Sequence, residues 1–349
     1  MAIPDTAGFS GKGKPESKTK AGSFRNIGIA TKKAILSGAI FVFLFIVFSF
    51  LAPKTFPSMN NLINLSQQVV TYAIIGFGLT FCLVCGGTDL SAGASGALSG
   101  MVLLLMVQAG LPLWMGIAAC LVIGLLTGIL NGFSIEILGV VPFIATLGTQ
   151  WVYRGMANVF TSGNPVYTKD AILDPLVNEQ FYQLGGGRIS EAFPLPWSVI
   201  IMLVYGVVLA IVLAKTKIGR QIYACGSNLE AAKLSGINVV GTRMFAYCVS
   251  GLSAAVCGIL VTSRLNSAQP VALTGIELEA IAAAVLGGVS INGGEGTIVN
   301  AFIGAVVIGT LRNGLTLIGV NSFWQMIIVG FILVAACAAD AYRQRRSTQ

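Results

Sequence analysis

Histidine is entirely absent from the 349 residues. That single gap removes the Ser-His-Asp triad, the HExxH zinc helix and any histidine proton relay. Charge is scarce as well, at 10% of residues against 55% hydrophobic. A soluble surface of this size needs more. The seven cysteines form no framework. Cys82 and Cys85 have CxxC spacing, but they lie in an apolar run without a second pair, so packing as small hydrophobes is the simple account. A cleavable leader is not expected either, because residues 1–33 are too long and polar for its n-region and no small-residue cleavage site follows the first apolar run.

What is present is a series of long apolar runs. Crossing the hydrocarbon layer takes roughly 20 residues at about 1.5 Å rise each. Ten runs qualify as helical: 34–51, 67–85, 94–108, 113–133, 142–160, 196–214, 244–262, 276–289, 298–318 and 323–339. The third and eighth are short enough to be broken or re-entrant. The 43 glycines suit close helix packing in a bilayer. The expected fold is all-α, a polytopic bundle of about ten transmembrane helices spanning residues 34–342. A disordered basic tail (1–33) precedes it, and a short tail (343–349) follows.

The basic residues orient this bundle. With the N-terminus inside, fifteen lysines and arginines fall in cytoplasmic segments and four (Lys54, Lys169, Arg188, Arg264) outside. The positive-inside rule therefore puts both termini in the cytoplasm. The net charge of +8 is explained by this topology, and the absence of aromatic interleaving argues against a nucleic-acid partner. Two long polar loops result. The outer one, 161–195, is net acidic and turn-rich, either a docking surface for an extracytoplasmic partner or a solvated connector. The inner one is 215–243.

Polar residues inside the apolar runs mark candidate function. Asp89, with Ser91 after it, ends the second run. It reads either as part of a broken helix lining a translocation route or as the cap of the next helix. Arg154 and Arg312 lie within runs toward the outer side, where snorkelling is the simple account. Pairing of Arg312 with Glu277 or Glu279 as part of an outer gate is the alternative. Asn131-Gly132 and Asn313-Gly314 echo one another, as do Gly86–Ser91 and Gly287–Asn292. Duplicated halves would produce such echoes. In the expected topology, however, one pairing is parallel and the other antiparallel. Asn131 and Asn313 join Asp89, Ser91, Glu277, Glu279 and Arg312 as candidate pathway residues. Gly293-Gly294-Glu295-Gly296 lacks the strand and lysine of a phosphate cradle, and Gly8, Gly13 and Lys14 are followed by Pro15 rather than Ser or Thr.

In the inner loop, Glu230-Ala231-Ala232 runs to Gly236. Asn228 is a ready N-cap and Gly236 a stop, so a short cytoplasmic helix is expected. The match lengthens around it, through Gly219-Arg220, Tyr223-Ala224, Gly226-Ser227-Asn228 and Gly236-Ile237-Asn238-Val239. With Gly86–Gly93 (GGTDLSAG), Pro142–Gly148 (PFIATLG), Ser267–Pro270 (SAQP), Glu277–Gly288 (ELEAIAAAVLGG) and Gly319–Phe323 (GVNSF), residues 56–340 closely resemble the permeases of ribose-type ABC importers. Glu279 and Arg312 depart from the family's usual run, where aspartate and a neutral residue are expected.

The resemblance implies a non-enzymatic transport subunit of the bacterial inner membrane, importing a monosaccharide by alternating access. Its loop with Arg220, Asn228, Glu230, Ala231, Ala232 and Gly236 would couple to separate ABC ATPase subunits, which would carry the ATP and Mg. No cofactor is then expected in this chain. A periplasmic sugar-binding protein and a second permease copy, as a homodimer or a similar chain, complete the implied assembly. Two rivals are an ion-coupled secondary transporter, which would want more membrane-embedded acids, and a membrane-embedded enzyme, for which no nucleophile-base pair is seen. A related importer of a non-sugar ligand such as a nucleoside is the nearer alternative.

Overall fold

The computed structural model describes residues 36–190 and 194–347. The expected N-terminal tail lies outside them. Each of the ten apolar runs is helical: α1 (Leu36–Leu51), α2 (Met59–Val84), α3 (Ala92–Gln108), α4 (Leu113–Glu136), α5 (Pro142–Thr161), then, past the outer loop, α8 (Trp197–Lys215), α11 (Val239–Leu265), α12 (Ile276–Gly287), α13 (Ile298–Leu317) and α14 (Ser322–Ser347). Five of these, α2, α4, α8, α11 and α13, are long and apolar enough to cross a membrane, while α1, α3 and 322–338 of α14 are shorter apolar helices. At 12 residues, α12 reaches only about 18 Å, well short of the roughly 30 Å hydrocarbon layer.

The 161–195 loop is more ordered than its glycines and charges suggest. It folds into β1 (Val166–Tyr167), α6 (Thr168–Ala171) and α7 (Pro175–Gly185), and β1 pairs antiparallel with β2 (Ser267–Ala268). Asp174 caps α7 by accepting from the Leu176 N–H, with Pro175 at the first helical position, where its missing N–H is harmless.

α2 and α11 form the axis, with 78% and 72% of their apolar windows buried inside this one chain. Close approach is what the glycines provide. A Cβ on Gly124 of α4 would overlap the Gly251 carbonyl oxygen of α11, and one on Gly251 would overlap that of Gly124. Without a hydrophobic driving force between helices in lipid, such backbone contact is the main source of packing energy.

Several boundaries differ from the sequence expectation. α2 begins eight residues before the apolar run does, at Met59, because Ser58 caps it by accepting from the Asn61 N–H and the Asn61 side chain packs inward against Asn313. α11 likewise starts at Val239, capped by Asn238. The Gly86 turn meets the Gly293–Gly296 segment at one end of the bundle, where Gly86 and Gly293 pack together and Gly294 donates its N–H to the Val84 carbonyl at 2.8 Å. The Gly293–Gly296 segment is thus a close-packed connector.

Candidate functional site

The segment between α8 and α11 forms two helices, α9 (Lys217–Ser227) and α10 (Leu229–Leu234). Thr216 caps the first by accepting from the Gly219 N–H. Asn228 caps the second by accepting from the Ala231 N–H at 2.9 Å. Gly236 ends it with φ of 76°, a left-handed conformation open to glycine at little strain. Its N–H bonds the Lys233 carbonyl, and that of Ile237 the Ala232 carbonyl.

One face of this pair is anchored. Ile222, Cys225 and Ala232 are buried, Gly226 lies so close to α2 that a Cβ would overlap the Val84 carbonyl, and the Tyr223 hydroxyl donates to the Gly296 carbonyl at 2.6 Å. Burial pushes that hydroxyl up to about 12, so it remains a donor throughout the physiological range. The other face is free in this chain: Arg220, Asn228, Glu230, Ala231 and Gly236 are exposed, and Leu234 is 90% exposed. Leu234 is the last residue of the six-residue α10. Of the six residues singled out here from sequence, only Ala232 faces inward.

Within the bundle, a second constellation centres on Asp89, in the turn between α2 and α3. Its Oδ1 accepts from the Ser91 N–H (2.9 Å), the Ser91 hydroxyl (2.7 Å) and Asn131 Nδ2 (3.3 Å), and its Oδ2 accepts from the Ser250 hydroxyl at 2.6 Å. Asn131 in turn donates to Ser91 Oγ and accepts from Thr149 on α5 and the Tyr153 hydroxyl. Asp89, Ser91, Asn131 and Ser250 are each 1% exposed. The cluster ties the α2–α3 turn to α4, α5 and α11. Asp89 bonds Ser91, the residue before α3, without capping that helix, and it also holds a helix 161 residues distant in sequence.

A third group involves α12 and α13. Arg312 pairs with Glu279 Oε1. Arg154 turns inward to donate to the Pro270 and Ala272 carbonyls, at 2.6 Å each. Both arginines find acceptors within the chain. Glu277 is not the partner of Arg312: it is 3% exposed, and its Oε1 accepts from Gln150 Nε2 at 2.8 Å. Asn313 exchanges two 2.9 Å hydrogen bonds with Asn61. An ion pair not expected from sequence, Glu136 with Arg243 at 2.9 Å, joins the ends of α4 and α11.

Sequence reading missed Gln150, Ser250, Tyr153 and Asn61. Each is a polar residue within a helix of the bundle, and the available signal was the expense of burying such a group unpaired. Among the described residues no group of three or more histidine, cysteine or acidic side chains is arranged to hold a metal.

The chain matches the family model described as branched-chain amino acid transport system / permease component over residues 61–337. It is 41% identical to the ribose import permease protein of Bacillus subtilis over 297 residues, covering 85% of this chain and 89% of the relative. It is 35% identical to the D-allose transport system permease protein of Escherichia coli over 306 residues, with coverage of 87% and 90%. The L-arabinose transport system permease protein of the same species is 34% identical over 306 residues, with coverage of 88% and 90%. No solved structure matches the chain.

Proposed function

Because this chain belongs to the transport-system permease family whose model it matches over 61–337, we propose that it is the membrane-spanning subunit of an ATP-driven monosaccharide importer. The observation that carries the proposal is the pairing of sugar-permease likeness over most of the chain with a capped α9–α10 unit. That unit is anchored to the bundle on one side and bare on the other, with Leu234 at its tip.

In this reading the exposed face of Arg220, Asn228, Glu230, Ala231 and Gly236, backed by Ala232, seats in an ABC ATPase. The ATPase supplies the ATP and Mg chemistry, and this chain holds no cofactor and catalyses no reaction. Ten helices span the bacterial inner membrane with both termini cytoplasmic, and α12 is a partial span that starts within the membrane. A periplasmic binding protein delivers the sugar to the outer loop. Two copies form the pathway, and Asp89, Ser91, Asn131, Glu277, Glu279, Arg312 and Asn313 belong to the polar network that rearranges between outward and inward openings. The family's description names amino acids, yet the relatives named for ribose, allose and arabinose favour a neutral sugar.

The test is uptake into proteoliposomes containing this chain, its ATPase and its binding protein. Labelled ribose, allose and arabinose are offered with either ATP or an imposed ion gradient. Uptake of at least one sugar that requires ATP is expected. Uptake that follows the gradient and ignores ATP would overturn the proposal, and ATP-dependent import of nucleosides alone would move it to a non-sugar ligand.

A further inference from the structure

A cleft of about 380 Å³ lies between the N-terminal turns of α2 and the C-terminal turns of α13. Its volume is in the range of small-molecule sites, about 300–1,000 Å³. Its lining is unusual for a helix bundle in lipid: five amide side chains, Asn61, Asn64, Gln67, Gln68 and Asn313, with the Thr316 hydroxyl, Arg264 and a single aliphatic residue, Leu317.

The spacing is helical. Asn61, Asn64 and Gln68 recur at three and four residues on α2, and Asn313 and Thr316 at three on α13, so each set lies on one face. Asn61 and Asn313 lock one another and form a fixed wall. Gln67 is partly committed to the Gly186 carbonyl of the outer loop at 3.4 Å. Asn64 is exposed, Gln68 is half-buried, and neither is bonded to another described residue. One helical turn deeper than Gln68 stands Tyr72, beside Glu279 and Arg312. Tyr72 continues the α2 face of Gln68 by one turn, so the charged pair lies beyond the cleft's lining.

Amides left unpaired against hydrocarbon would be strongly unfavourable, so this face needs water or a polar ligand. Its chemistry selects among ligands. No carboxylate lines it, which leaves nothing to hold a metal cation or the ammonium of an amino acid. The Arg264 guanidinium donates one N–H to the Gln67 carbonyl at 3.1 Å, and its remaining donors can serve a hydroxyl. Amides carry both donors and acceptors, and so does every sugar hydroxyl.

We infer that this amide-lined cleft is the first contact site in the membrane subunit for a neutral, polyhydroxylated solute entering from the outer side. The inference rests on the sugar-importer function proposed above and assigns Asn64 and Gln68 as the residues that exchange hydrogen bonds with it.

The test uses the assembled complex with Asn64→Leu and Gln68→Met, the second close to isosteric. For whichever of ribose, allose and arabinose the wild type imports, uptake per ATP hydrolysed is expected to fall about tenfold or more in the double variant. ATPase stimulation by the loaded binding protein should stay within about twofold of wild type, and Gln68→Asn should recover part of the uptake. Uptake within twofold of wild type overturns the inference. A second arm covers failed assembly or an inactive wild type. Gln68→Cys in intact cells should react with a membrane-impermeant maleimide above the background of the native cysteines, which are buried or half-buried in this chain. A residue that resists the reagent faces lipid or a protein interface, and the site is lost. If the wild type imports no sugar while Gln68→Cys reacts, the transport function fails but the water-filled cleft stands.

Discussion

Asp89 accepts four hydrogen bonds through two carboxylate oxygens, so Asp89→Asn turns one acceptor into a donor facing donors. Leaving a buried polar group mispaired costs about 1–3 kcal/mol. The expected outcome is a protein that still inserts, with a lowered thermal midpoint in detergent and impaired uptake; an unchanged midpoint and rate would show the network to be slack. Arg312→Leu strands Glu279, whose partner it is. The pair is part-buried, so the loss should fall below the roughly 3–5 kcal/mol of a fully buried pair, while removing both together is often near neutral. A double-mutant cycle with Glu279→Leu, read by thermal unfolding, should therefore show recovery of much of the single-variant loss.

At the scale of elements, the α9–α10 unit is held by contacts that tolerate almost no added volume. Gly226→Ala places a methyl against the Val84 carbonyl and should shift the unit on the bundle. The measurement is stimulation of ATPase by the loaded binding protein, expected to drop while the chain remains in the membrane. Gly236→Pro should do the same for another reason: φ near 76° is closed to proline, and its N–H, which bonds the Lys233 carbonyl, would be gone. Glu230→Lys leaves the fold alone and reverses a charge on the bare face. It should lower co-purification of the ATPase, and wild-type uptake by this variant would argue against the coupling role.

For the whole molecule, the sides of the bundle are uneven. Only 28% of the apolar window of α4 and 33% of that of α8 are buried within one copy, and Trp151, Val152 and Val159 of α5 are largely exposed. These surfaces face lipid or a second copy. Native mass spectrometry of the detergent-extracted complex should find two copies of this chain with two ATPase subunits; a single copy would overturn the homodimer and require a different permease partner.

Much of this protein was legible from its residue order alone. Apolar runs of membrane length specify the helices, because the bilayer acts on each segment separately and needs no knowledge of its neighbours. The cap at Asn228 and the stop at Gly236 were readable for the same reason, since a helix end is local chemistry. What no local pattern contains is partnership. That Asp89 meets Ser250, that Arg312 chooses Glu279 over Glu277, and that amides on α2 and α13 face one another across a cleft depend on which helices pack side by side. The glycine contacts that decide the packing join segments far apart in the chain, so only the tertiary structure turns isolated polar residues into sites.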